Sequence, residues 1–154
     1  MSTAPDLQRS ITEMERFCAY QERSPNEIRL KLGRKGLLEG PIEAVIEHLT
    51  SHNFLNEQRF VETYVQGKFK IKGWGKHKIK AGLKTHRIPE HLIQVGLNQL
   101  ETNDQDKRLA DWFEKKKHAL RNEPEGAKKT AKIVRFLLSK GYEMSAILEL
   151  VRLS

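Results

Sequence analysis

The stretch Ile28-Arg29-Leu30-Lys31-Leu32-Gly33-Arg34-Lys35-Gly36-Leu37 carries an apolar pattern, Ile–x3–Leu–x4–Leu, that the chain uses twice more. The second occurrence is Ile79, Leu83 and Ile88, and the third is Ile133, Leu137 and Tyr142. The steps between them are 51 and 54 residues. Recurrence at this length marks units too small to bury a core alone, which stack on their neighbours. The chain is therefore expected to work through an extended surface rather than a deep pocket.

Working outward from the pattern, each copy reads as three short helices. Ser10-Ile11-Thr12-Glu13 and Ser24-Pro25-Asn26-Glu27 both have the form of a capping box, and Pro25 suits a first helical position. Gly36 then stops the helix in a left-handed conformation, with Leu37 closing the contact behind it. A third helix is expected from Pro41, its apolar face made by Ile42, Val45, Ile46 and Leu49. The second copy opens at Asn56, a candidate cap, followed by an inward stripe of Phe60, Val61, Tyr64, Val65 and Phe69. Its middle helix covers Gly75 to His86, and its last starts at Pro89 and buries Leu92, Ile93, Leu97 and Leu100. The third copy has Leu109, Trp112, Phe113 and Leu120, a helix over Lys128 to Lys140, and a last one with Ile147, Leu148 and Val151 inward. At the helix stop the middle copy has Arg87 in place of glycine, so that helix is expected to end differently. No run of alternating β-branched residues competes with this pattern.

The expected fold is thus all-α, a tandem repeat of three three-helix units forming an elongated, curved array. The expected divisions are a loose tail over residues 1–9 and repeats over 10–55, 56–101 and 102–154. Hydrophobic residues make up 38% and charged residues 31%, which suits an array with much surface per residue better than one compact core. No apolar run reaches bilayer length, and the first residues, with Asp6 among them, do not read as a secretory signal. One cysteine excludes an intrachain disulfide and fits a reducing cytoplasm. Cys18 lies in a stripe with Ile11, Met14 and Phe17, the position of a small core residue.

Charge is unevenly placed. The formal net charge is −1 over residues 1–55, +5 over 56–101 and +4 over 102–154. From Val65 to Ile88 no acidic residue occurs, while Lys68, Lys70, Lys72, Lys76, Lys78, Lys80, Lys84 and Arg87 do. Trp74 is interleaved with them, between two glycines, either packed at a helix junction or offering its ring to a partner. An ordinary exposed helix mixes signs, with lysine stems covering apolar neighbours. Unbalanced cations repel one another, and a phosphate backbone or an acidic protein surface relieves that repulsion. Lys68, Lys70, Lys72, Trp74, Lys76, Lys78, Lys80, Lys84 and Arg87 are accordingly the candidate partner-binding residues. Helical spacing sets Lys76, Lys80 and Lys84 on one side of their helix.

These segments also resemble a known family. Arg23-Ser24-Pro25-Asn26-Glu27-Ile28, with Lys31-Leu32 and Lys35-Gly36-Leu37, is similar to the first repeat of the RecX regulatory proteins. Phe54-Leu55-Asn56-Glu57-x-Arg59-Phe60-Val61 with Tyr64-Val65 resembles the entry to their second repeat. Lys72-Gly73-Trp74-Gly75-Lys76-x-Lys78-Ile79-Lys80-x-x-Leu83 looks like the family's most recognisable segment. The likeness covers about residues 11–153 and is weakest in the third repeat, where Lys140-Gly141-Tyr142 is the best match. It implies a bacterial cytoplasmic modulator of the recombinase RecA, acting in DNA repair, recombination and the SOS response. Such a protein lies along the RecA nucleoprotein filament and inhibits or modulates its recombinase, ATPase and coprotease activities. It has no cofactor and no chemistry of its own, and single- or double-stranded DNA, met through phosphates, is a further expected partner. Stacking of each unit only on its neighbours makes the chain an expected monomer.

The alternatives are weaker. His48 and His52 are an i, i+4 pair without a third ligand, where zinc wants three or four. Gly73-Trp74-Gly75 lacks the strand-to-helix context of a phosphate-cradling loop. Neither an enzyme nor a metal site is expected. A direct nucleic-acid-binding module of helix-turn-helix type is the second reading. Its basic run is nearly all lysine, which suits phosphates; base edges favour arginine, Asn or Gln.

Overall fold

The computed structural model describes residues 4–154 and, among them, contains nine α-helices and no strand. They form two compact units: the described residues up to Thr63 with Leu83–Ile93, and Tyr64–Gly82 with Gln94–Ser154.

In the first unit, α1 (Ala4–Tyr20), α2 (Pro25–Arg34) and α3 (Glu39–Ser51) enclose Met14, Ile28, Leu32, Val45 and Leu49, each at most 1% exposed. Two expectations fail along α1. The loose tail over 1–9 is helical from Ala4, with Asp6 in the first turn facing the positive helix end and Leu7 packed on the core. Residues 1–3 lie outside the described residues. Ser10 therefore caps nothing: it is buried inside α1. The second box forms as expected, Ser24 Oγ accepting from Glu27 N at 3.2 Å and Ser24 N donating to Glu27 Oε1 at 3.0 Å. Helix α3 starts at Glu39, two residues ahead of Pro41, since proline is tolerated anywhere in a first turn.

Arg59 locks the turn that follows. Its guanidinium reaches Glu22 Oε1 at 2.6 Å and the carbonyl oxygens of Asn53 and Phe54 at 3.1 and 3.3 Å. Asn56 caps α4 (Glu57–Lys70), its side-chain oxygen accepting from Arg59 N at 2.9 Å. The Phe54-to-Val61 segment is thus a strapped corner.

In the second unit, α7 (Thr102–Ala119), α8 (Ala127–Ser139) and α9 (Met144–Leu153) bury Leu109, Phe113, Ile133, Leu137, Tyr142 and Ile147. Leu148, expected inside, is 50% exposed, because Ile147 and Val151 lie one turn apart and turn its side outward. The second unit also holds most of α5 (Lys76–Thr85) and of α6 (Glu90–Asn98).

The recurring pattern folds three times into one helix stop. Leu37, Ile88 and Tyr142 each donate a backbone N–H to the carbonyl of Leu32, Leu83 and Leu137, at 3.1, 3.2 and 3.4 Å. Those three leucines are fully buried. The residue before the donor is left-handed in every case, with φ of 89° at Gly36, 56° at Arg87 and 96° at Gly141. Arg87 does not make the helix end differently; it adopts the strained conformation so that Ile88 can close the turn.

A second device recurs, in which the start of one middle helix meets the stop of another. Within the first unit, Ser24 Oγ hydrogen-bonds His86 Nδ1 at 2.8 Å, and Asn26 Nδ2 donates to Thr85 O at 3.3 Å. Within the second, Gly75 N donates to Lys140 O at 2.7 Å and His77 N to Gly141 O at 3.0 Å. Amides at a helix start have no partner in their own helix, and carbonyls at a helix end likewise, so each joint satisfies both ends.

Candidate basic interface

The Gly73-Trp74-Gly75 turn carries the candidate site, and backbone contacts fix it. Gly73 has φ of 69°, and its carbonyl accepts from Trp112 Nε1 at 2.8 Å and Tyr142 Oη at 2.9 Å. A methyl group on Gly75 would stand 2.5 Å from Gly141 O. The glycines therefore serve close approach to α7 and to the stop of α8.

On this frame stands a cluster of cations and rings. Lys68 Nζ lies 4.9 Å and Lys78 Nζ 4.7 Å from the ring of Trp74, which is half-buried. Around Trp112 are Lys140 Nζ at 4.3 Å, Lys115 Nζ at 5.3 Å and the Arg108 guanidinium at 5.8 Å. Phe136 meets Trp112 edge to face at 5.7 Å and lies 4.9 Å from Lys116 Nζ. Partial burial, then the neighbouring charges of Lys78 and Lys115, hold the Lys140 ammonium below the usual lysine range.

Of the sequence-expected residues, Lys68, Trp74 and Lys78 belong to this cluster. Lys70 borders a hollow with Asp104, Lys107, Arg108 and Asp111, and Lys76 another with Asp106 and Glu143. Lys72 is exposed. Lys80 is half-buried and engaged in a contact of its own. Lys84 and Arg87 are exposed but belong to the first unit. Among the described residues, Lys68, Lys70, Lys72, Lys76, Lys78, Lys84, Arg87, Lys115 and Lys140 form no ion pair with a carboxylate. Other cations are spent inside the fold. Lys129 is 5% exposed and pairs with Glu125 at 2.6 Å, and Lys132 pairs with Glu123 at 2.7 Å.

Sequence reasoning missed Arg108, Lys115 and Lys140. The usable signal was spacing on α7, where Arg108 and Lys115 flank Trp112 at i−4 and i+3. Trp112, expected in the core, is half-buried with its indole N–H tied to Gly73.

The remaining candidates take structural roles. His48 and His52 stack at 4.1 Å, His48 Nε2 contacting Glu15 at 3.0 Å. Among the described residues, no group of three His, Cys, Asp or Glu side chains is placed to hold a metal ion. Burial pushes the Cys18 thiol up to about 11. No described helix is long and apolar enough to cross a membrane.

Comparison with known proteins bears on these same segments. The model of the second three-helix domain of RecX matches residues 56–97, and that of the third matches residues 104–151. A RecX regulatory protein of Clostridium perfringens is 33% identical over 131 residues, covering 84% of this chain and 61% of that protein. One from Vibrio campbellii is 32% identical over 126 residues, covering 79% of this chain and 76% of its own. The chain belongs to the RecX family. Its fold agrees with the crystal structure of RecX from Lactobacillus salivarius at a TM-score of 0.83, 22% identity and 97% coverage of both chains. The chain spans about three-fifths of the length of the Clostridium perfringens RecX protein it matches. The RecX second-domain match contains the whole Gly73–Gly75 turn, and the third-domain match contains Arg108, Lys115 and Lys140.

Proposed function

We propose that this RecX-family chain binds the RecA nucleoprotein filament and restrains its recombinase, ATPase and coprotease activities. The observation that carries the reading is the set of cations at Trp74 and Trp112 without carboxylate partners, presented by a turn that backbone contacts hold rigid. A structural charge run is neutralised in the manner of Lys129 and Lys132. Unneutralised cations of one sign answer to an anionic partner, which a filament of recombinase and DNA supplies. The reading takes residues 10–55, 56–101 and 102–154 as the working repeats, acting without cofactor or catalytic group in the bacterial cytoplasm.

The test is inhibition of DNA-dependent ATP hydrolysis by RecA. Charge reversal of Lys68, Lys76 and Lys78 to Glu is expected to abolish inhibition while leaving helical content unchanged, because each is only half-buried and none gives up a carboxylate partner. Reversal of Arg16, Arg29 and Arg34 in the near-neutral first repeat is expected to do less. Full inhibition by the folded lysine variant at matched salt would overturn the reading.

A further inference from the structure

Trp74 is the residue at which the structure says more than charge alone. Its ring is half-buried, and the ammonium groups of Lys68 and Lys78 lie over it. The turn presenting it is immobilised on both sides, by the two hydrogen bonds to Gly73 O and by the bond from Gly75 N to Lys140 O. A rigidly held indole capped by lysines is a poor packing element. It is a good platform, because an ammonium resting on a ring is weakly held and readily surrendered to a stronger anion.

Cations alternating with aromatic rings are what a single nucleic-acid strand needs: charges track its phosphates while ring faces take successive bases. We propose that Trp74 is the base-stacking platform of a single-stranded nucleic-acid site. On strand binding, Lys68 and Lys78 pass from the indole to neighbouring phosphates, and the bared face receives a base. Lys140 and Lys115 beside Trp112 continue the phosphate path. An acidic protein surface would satisfy the lysines equally but would leave the ring face unused. The inference rests on the filament reading only in that the filament contains a single strand.

The intact protein, without recombinase, is titrated with a thymidine oligonucleotide, with an abasic strand of equal length, and with polyglutamate. Anisotropy and tryptophan emission are followed together. The thymidine strand is expected to quench tryptophan emission in the wild type, and the Trp74→Leu variant, which retains only Trp112, is expected to lose most of that quenching. Trp74→Leu is expected to weaken the thymidine strand about 5- to 100-fold, the worth of one lost stack, with abasic affinity changed less than about twofold. The Lys68→Gln, Lys78→Gln double variant should weaken both strands. Equal affinity of the wild type for thymidine and abasic strands overturns the proposal without any variant. Polyglutamate competing as well as the thymidine strand overturns it too, in favour of a protein partner. Since recombinase is absent, failure here leaves the filament reading standing. Lost ATPase inhibition with Trp74 quenching intact would in turn be a failure of that reading alone.

Discussion

Single residues show where the chain accepts strain and where it hides chemistry. Arg87 holds φ of 56° at a stop where its counterparts are Gly36 and Gly141. Left-handed backbone costs a non-glycine residue roughly 1 kcal/mol. Arg87→Gly is therefore expected to raise unfolding free energy by about that amount, read as a higher denaturant midpoint at unchanged slope. An unchanged or lower midpoint would show that the arginine side chain contributes more than its backbone costs. Cys18 makes a contrasting case. With its thiol pushed up to about 11 by burial, it stays protonated at pH 8, where an exposed thiol near 8.5 is partly thiolate. Labelling by a disulfide reagent at pH 8 should accordingly wait on unfolding and become immediate in denaturant.

At the scale of the element, three helix stops built from one pattern make a quantitative comparison possible. Leu32, Leu83 and Leu137 are all fully buried and all accept the closing hydrogen bond. Each is expected to cost roughly 2–5 kcal/mol as Ala, with Ile28, Ile79 and Ile133 one turn back behaving alike. Urea unfolding of the three variants checks this, and a loss under 1 kcal/mol at any one would break their equivalence. This is also the part of the fold most legible from sequence, because the leucines and the stop residue are fixed by local geometry and depend on no distant partner. The start of α1 was not legible. A Ser-x-x-Glu motif reads as a cap wherever it stands, and only packing on Met14 and Leu7 shows that the helix has already run past Ser10. Lys140 and Lys115 escaped for a related reason. Their relevance comes from lying beside Trp112, which the fold brings to the Gly73–Gly75 turn from 39 residues away in sequence.

For the molecule as a whole, the net charge of +8 is a poor guide to binding, since Lys129 and Lys132 are neutralised within the fold. What counts is the number of free cations that reach phosphates. For a single strand, log affinity falls against log salt with a slope near −0.7 per phosphate neutralised. Replacing Lys78, Lys115 and Lys140 together by Gln should flatten that slope by about 2 units. The same change at Lys129 and Lys132, which are paired with Glu125 and Glu123, should leave the slope nearly unaltered while lowering thermal stability. Identical slopes for the two variants would mean that binding responds to overall charge and not to place.

The joint between Gly75 and the stop of α8 has one more consequence, for solvent hydrogen exchange. Amides just before and at the start of a helix ordinarily trade their protons with water quickly, having no acceptor one turn back. Gly75 and His77 break that expectation, because their N–H groups are given to Lys140 O and Gly141 O at 2.7 and 3.0 Å. In deuterated buffer these two amides should remain protonated long after those of Lys76 and Lys78 have exchanged. Loss of their protection, with the interior of α5 still slow, would time the separation of α5 from α8 without any label. A strand that tightens this turn should lengthen that time.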